Sequence, residues 1–578
     1  MPSFKLWLWT LCALVMSTSA LVARTGHQLV PRMPEHASKA AVKQTLDITW
    51  AVGNPNGNAR EMIFVNGQFP SPNLFFDEDD DVEVRRRDVR MPRSQAMLMG
   101  GFRSRPKSSN PQPWHFISNN AKDINQMTKA AADPQLIMVS DWTNFTSDEY
   151  MQAQVNSELD IFCVDSILVN GKGSVFCPPH QQILDLVNPG LTQALLPGQM
   201  NDKGCLPFVT LDEDNYLPGR PDLIPPGLWE GCVATNGSMA TIQVDPAAGW
   251  ASLNIIMGST LRIGVISVDN HEMYDYEIDG GYVQPVKCES VVLYPGQRHS
   301  VMIKLDQEPG NYTIRMADDG AAQVMSSYAV LEYKGGKPLN TTIGYVEPAN
   351  QTEGFINYGG ARMSGSSVRY DDVFNGSTPY PATPPKAPAH GDPMHVVSMG
   401  RLNEAWQWTL SGTELYPQDA NAYAPLLYDP SYKFAKDPGL VIRTHNDTWV
   451  DIILQVSALP GTVQEIGHAI HKHSSKFWVT GRGVGIWNYT SVAVAQKAEP
   501  ASFNFVNPPY RDTATTLFGT ATWVALRYHS NNPGPWLLHC HVETHLAGGM
   551  AMAILDGVDA WPTVPPAYGI NAHGYPSR

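Results

Sequence analysis

Six of the 17 histidines fall into two short runs near the C-terminal end. One is Gly467-His468-Ala469-Ile470-His471-Lys472-His473. The other is His539-Cys540-His541-Val542-Glu543-Thr544-His545, with Met550 just beyond. Imidazole, thiolate and thioether are transition-metal ligands, so these runs offer metal-bound electron transfer. In an extended segment successive side chains alternate faces, so His539 and His541 point one way and Cys540 the other. His471 and His473 share a face, while His468 has the opposite parity if its segment stays extended. The simplest closure sets His468, Cys540 and His545 around one centre, and His471, His473, His539 and His541 around another. A His2Cys set with a weak thioether, here Met550, is the ligand set of a blue-copper site. Loose Cys/His groups more often bind zinc, but zinc asks for four ligands at one tetrahedral centre and gains nothing from two opposed faces on one strand. Copper is the expected cofactor.

Strands must position such a set, and the rest of the chain reads as strands. Short alternating apolar runs recur between turn signals, as in Thr45–Trp50, Ile63–Gly67, Leu136–Ser140, Leu253–Val268 and Val450–Val456. Ser290–Leu293 and Ser300–Ile303 flank the turn Tyr294-Pro295-Gly296-Gln297. A content of 47 glycines, 46 prolines and 10% aromatic residues fits an all-β protein with many turns better than long helices. The length, 578 residues, predicts three or four domains. A formal charge of −15 argues against nucleic acid as a partner.

Residues 1–23 carry one early cation, Lys5, then the apolar run Leu6–Met16 and the small residues Ser17 to Ala20, the pattern of a secretory signal peptide. The apolar core is too short to span a bilayer, so no membrane anchor is expected. Eight Asn-x-Ser/Thr sequons, at Asn144, Asn236, Asn311, Asn340, Asn350, Asn375, Asn446 and Asn488, fit a secreted, N-glycosylated protein of the extracellular space or cell wall. Of seven cysteines, Cys12 leaves with the leader and Cys540 lies between histidines. Cys163, Cys177, Cys205, Cys232 and Cys288 remain; the odd count means a free thiol or a lost partner.

Several stretches together resemble the multicopper oxidase family of laccases, ascorbate oxidases and ferroxidases, and most of all its fungal laccase-like branch. They are VNGQFPSPN at 65–73, DGGYVQPV at 279–286, LYPGQRHSV at 293–301, HAIHKH at 468–473, NPPYRDT at 507–513 and NPGPWLLHCHVETHLAGGM at 532–550. The resemblance implies three cupredoxin-like domains, each a Greek-key β-barrel: 40–135, 136–335 and 396–562, with 336–395 an exposed linker. It implies a type 1 copper held by His468, Cys540, His545 and axial Met550, a type 2 copper on His471, and a type 3 pair on His473, His539 and His541. Glu543 stands where the family often has a proton-delivering carboxylate; its plainer alternative is a surface acid. A methionine axial ligand, where other members have Leu or Phe, is expected to lower the type 1 potential. The implied reactants are a small phenolic or aromatic reductant, such as a pigment or secondary-metabolite precursor, and dioxygen, which is reduced to water. Two alternatives stand beside this: a metal-ion (iron) oxidase, and a degenerate copper-binding or electron-transfer protein.

The chain also departs from the family. The trinuclear cluster draws on eight histidines, two from an HWHG-like and two from an HSH-like motif in the first domain, and neither motif is present. Before residue 140 the only histidines are His27, His36 and His115. Where both pairs belong, residues 85–113 read RRRDVRMPRSQAMLMGGFRSRPKSSNPQP, without strand alternation. The first domain is therefore expected to be incomplete. Either exon text has been lost and intron or wrong-frame text retained, or the chain is a truncated variant. The same lost region in relatives usually carries a cysteine, which accounts for the odd count.

Overall fold

The structure is a computed structural model. It describes residues 42–77, 82–89, 102–105, 111–187, 200–206, 219–319, 323–336, 354–363, 368–372, 376–389, 391–417, 426–427, 437–457, 467–517 and 521–563. The leader at 1–23 and the sequons at Asn340, Asn350 and Asn375 lie outside the described residues. Among those described, no helix is long and apolar enough to cross a membrane.

Two sheet pairs dominate, as the alternation predicts for an all-β chain. In the second unit, Ser290–Leu293, Gly264–Val268, Asn311–Asp318, Ser326–Tyr333 and Ala240–Val244 form one sheet. Gly281–Cys288, Met273–Ile278, Arg298–Lys304, Trp250–Met257, Gln135–Trp142 and Ser166–Val169 form the other. Leu253, Ile255, Val268, Val291, Val301, Ile303 and Leu331 meet between them with at most 1% exposure. Each such side chain contributes roughly 1.5–3 kcal/mol by leaving water. Alternation fades in Trp250–Met257 and Arg298–Lys304 because their outer face is covered too. The helix Ala121–Ala132, capped by the Asn120 side chain on the Lys122 N–H, lays Met127 against Trp250, Tyr276 and Met302.

The third unit pairs a six-stranded sheet, Glu404–Thr409, Met394–Leu402, Thr448–Ser457, Ala521–Ser530, Phe477–Val484 and Tyr510–Arg511, with a five-stranded one. The latter runs Val441–Arg443, Ala551–Asp556, Gly534–Cys540, Ala469–Lys472 and Thr513–Thr515. Both histidine runs thus reach adjacent central strands.

The N-terminal region is smaller. Val42–Gly53 pairs antiparallel with Arg60–Val65 and parallel with Val82–Val89, and Leu74–Asp77 pairs with Phe102–Arg105. The stretch 85–113, read as lacking strand character, contains parts of two strands. Ladder hydrogen bonds come from the backbone, so a segment without side-chain alternation can still extend a sheet. Residues 336–395, read as an exposed linker, are only partly that. Arg369–Tyr370 adds to the second unit's sheet beside Ser290–Val291, and Ile356, Tyr358 and Tyr370 are buried. Three apolar side chains within a Pro/Gly/Ser-rich run suffice to anchor it.

Candidate metal centre

The strand Gly534–Cys540 lies between Ala551–Asp556 and Ala469–Lys472, with Ile470 opposite Cys540 and His471 opposite His539. This register puts Cys540 on the barrel-core side and His539 with His471 on the other. The Cys540 N–H donates to the Met550 carbonyl (3.1 Å), and the Met550 N–H to the His545 carbonyl (2.9 Å). The short helix Glu543–Ala547 turns the chain back, returning His545 to the cysteine's side.

On that side Cys540 Sγ is 4.0 Å from His468 Nδ1 and 3.7 Å from His545 Nδ1, and the two nitrogens are 3.3 Å apart. Donors about 2.0–2.3 Å from a shared metal stand roughly 3.5–3.8 Å apart when trigonal, so the three side chains fit one ion. His468, Cys540, His545 and Met550 are all at most 2% exposed. Burial pushes the Cys540 thiol up to about 12, so a metal must displace a proton to form the thiolate. Burial, then the His545 and Arg401 charges, hold His468 well below the usual imidazole range, leaving it neutral and able to ligate. One thiolate and two imidazoles with a buried thioether close by suit copper.

On the opposite face His471, His473, His539 and His541 gather, with ring centroids of successive neighbours 5.0 to 6.1 Å apart. His473 Nε2 and His539 Nε2 face each other at 3.3 Å. The Nδ1 atoms point elsewhere: His471 to the Asp512 carbonyl (2.9 Å) and His539 to the Cys540 carbonyl (2.8 Å). Holding Nδ1–H against a carbonyl leaves the Nε2 lone pair for a metal. Burial and neighbouring imidazoles lower His473 to about 3 and His541 to about 4. His541 Nδ1 is buried without a hydrogen-bond partner. No fifth imidazole joins these four among the described residues. His115 packs against the rings of Phe116 and Tyr380 at the surface, while His271 and His299 bond to Tyr333 and Asp275 in the second unit.

Glu543 is neither on the open surface nor fully enclosed. Its Oε1 lies 3.9 Å from His541 Nδ1, and burial together with the Asp141 charge raises it to about 7. Cys163–Cys205 and Cys177–Cys232 are disulfides, which leaves Cys288 free, 1% exposed and within the second unit's core.

Sequence reasoning missed Asp160. Its Oδ2 lies 3.6 Å from His545 Nε2, accepts from Trp408 Nε1 at 3.3 Å and faces Arg401 at 3.5 Å. Burial alone would raise this carboxyl, but His545, Arg401 and the indole override it and hold it below the usual range. Trp408 is fully buried, its ring centroid 4.9 Å from that of His468 and 4.4 Å from that of His545. A lone acid in a loop far from either histidine run carries no spacing signal.

Two family models, both described as multicopper oxidase, match residues 133–336 and 390–560. Multicopper oxidase GIP1 of Gibberella zeae is 44% identical, the match covering 93% of this chain and 87% of that protein. Laccase ustL of Ustilaginoidea virens is 41% identical, covering 92% and 90%. The crystal structure of the laccase from Botrytis aclada shares the fold, with TM-score 0.60 at 17% identity over 91% of this chain and 90% of that one. The chain belongs to the multicopper oxidase family, copper oxidoreductases with dioxygen as acceptor. Within it, the chain falls in the fungal laccase-like branch. The match to GIP1 runs over 601 positions yet uses 93% of 578 residues, about 538, so roughly 60 positions of that relative have no counterpart here.

Proposed function

We propose that this is a secreted, laccase-like oxidase. Its first site takes single electrons from small phenolic or aromatic reductants and passes them toward the four-imidazole face, which supplies half of the histidines of the family's dioxygen-reducing cluster. The observation that carries the reading is the convergence of Cys540 Sγ with the Nδ1 atoms of His468 and His545 inside 4.8 Å. In this reading His468, Cys540 and His545, with Met550 axial, hold the type 1 copper. His471 serves the type 2 copper, and His473, His539 and His541 the type 3 pair. Copper bound there supplies reversible one-electron chemistry. The chain supplies the rest. Cys540 is joined to His539 and His541 by one peptide bond each, so its thiolate is wired through backbone to the far face. Glu543, whose proton affinity burial raises to near neutrality, is placed to take up and release a proton beside His541. The leader and the sequons support export.

Asp160 orients the outer edge of His545 in this scheme. Outer-shell carboxylates raise the basicity of ligating imidazoles, and their loss typically costs 10–100-fold in metal affinity. Asp160→Asn is expected to weaken copper retention at the Cys540 site by about that factor, measured by chelator competition against the visible thiolate band. Unchanged retention would remove Asp160 from the account.

The second reading is an electron-transfer protein with an incomplete cluster, and the four-imidazole count favours it. Mixing the copper-loaded chain with a phenol under anaerobic conditions tests the substrate class common to both. We expect the blue band to bleach within the mixing experiment. Bleaching by ferrous ion but not by any phenol would instead select the metal-ion oxidase.

A further inference from the structure

The second unit supplies none of the clustered imidazoles and no thiolate, yet its turn Tyr294-Pro295-Gly296-Gln297 and the adjoining strand Arg298–Lys304 press on the far face of the copper strand. Arg298 reaches across the seam in a two-pronged contact with Asp512, Nη1 to Oδ1 at 2.6 Å and Nη2 to Oδ2 at 2.7 Å. Its Nη1 also donates to the Gly296 carbonyl at 3.1 Å. Asp279 Oδ1 accepts from the Arg298 N–H at 3.1 Å, and its Oδ2 accepts from Thr513 Oγ1 at 2.5 Å and Arg511 Nε at 3.2 Å. The peptide held between these side chains carries the Asp512 carbonyl, which receives His471 Nδ1 (2.9 Å) and the Lys472 N–H (3.1 Å). A few ångströms away the Gly296 backbone lies against the His541 ring. A methyl group there would stand 2.4 Å from His541 Cδ2, and Gly296 has φ +83°. Only glycine meets both the conformation and the clearance.

We infer that the second unit is the positioning element for the imidazole cluster: Arg298 and Asp512 fix the tautomer and direction of His471, and Gly296 sets the plane of His541. This rests on the copper reading of the four histidines given above. A fork of two parallel N–H···O bonds defines direction as well as distance, which a lysine at the same place cannot do. Both partners are largely buried, which shields the contact from competing water.

The test uses the full chain, Cu(II) alone as the probe, and the variants Arg298→Lys, Asp512→Asn and Gly296→Ala. Two readouts are taken on each: the visible band of the Cys540 copper, and the electron paramagnetic resonance of non-blue copper during titration. The band serves as an internal report that the third unit is folded. We expect the band to persist, while non-blue copper binds about 10- to 100-fold more weakly with altered hyperfine splitting. Should Gly296→Ala fail to fold, Arg298→Lys carries the result. Unaltered affinity and spectrum in all three variants would overturn the inference, as would parallel loss of both copper signals, which marks a role in folding only. A wild-type chain that takes up blue copper but no other would overturn it while sparing the Cys540 site. Uptake of no copper at all would sink the underlying reading and the clamp with it.

Discussion

Cys540→Ser is expected to abolish the visible absorption of the copper-loaded protein completely and to stop electron uptake from phenols. Sulfur is the only soft anionic donor in the buried triangle, and serine offers a hydroxyl whose proton is far harder to remove. His468 and His545 would remain beside each other as two neutral imidazoles with no charge to balance a cupric ion. The metal-free fold should survive with a modest penalty, about 1–3 kcal/mol for burying an unpaired hydroxyl in the third unit's core. Thermal unfolding of the apo variant separates the two effects. A large fall in colour with a small fall in stability is the predicted pair. Colour that persists in Cys540→Ser would remove the thiolate from the chemistry.

The second large effect concerns the chain as it stands. We expect it to accept electrons at the Cys540 site but to consume dioxygen at close to the background rate. Four imidazoles gather on the far face among the described residues, where the family pattern draws on eight, and roughly 60 positions of a fungal relative have no counterpart here. Replacing residues 85–113 with a segment that carries the family's two paired-histidine motifs should raise oxygen consumption by orders of magnitude. Sequencing the transcript across codons 80–120 decides whether the natural chain already contains them. Full oxidase turnover by this exact polypeptide would contradict the prediction.

Much of the fold was legible because half-buried strands write their period into the chain. The runs at Leu253, Ser300 and Val450 became central strands. The candidate centre was legible for the same reason. Once His539-Cys540-His541 is extended, parity alone separates cysteine from histidines, and the ladder pairing Ile470 with Cys540 leaves His468 on the cysteine's side. What escaped were contacts between distant segments. Asp160 meets His545 only because a second-unit loop folds against the third unit. Lys472, within the first histidine run, is 1% exposed, its Nζ 3.6 Å from Asp556 and 4.2 Å from the Tyr528 ring centroid. A buried charge of this kind needs a partner brought by tertiary packing, and no local period records the partner. Within residues 336–395 the burial of Ile356 and Tyr370 escaped for the same reason, since both pack against strands distant in the chain.

The central claim is that a buried cysteine, set between histidines on one strand, holds an electron-accepting copper. Stepwise addition of copper to the metal-free full-length protein, followed by its visible absorption, tests this most directly. The account predicts an intense thiolate band that grows and saturates at one copper per Cys540. A titration that binds copper without ever developing that band would contradict it.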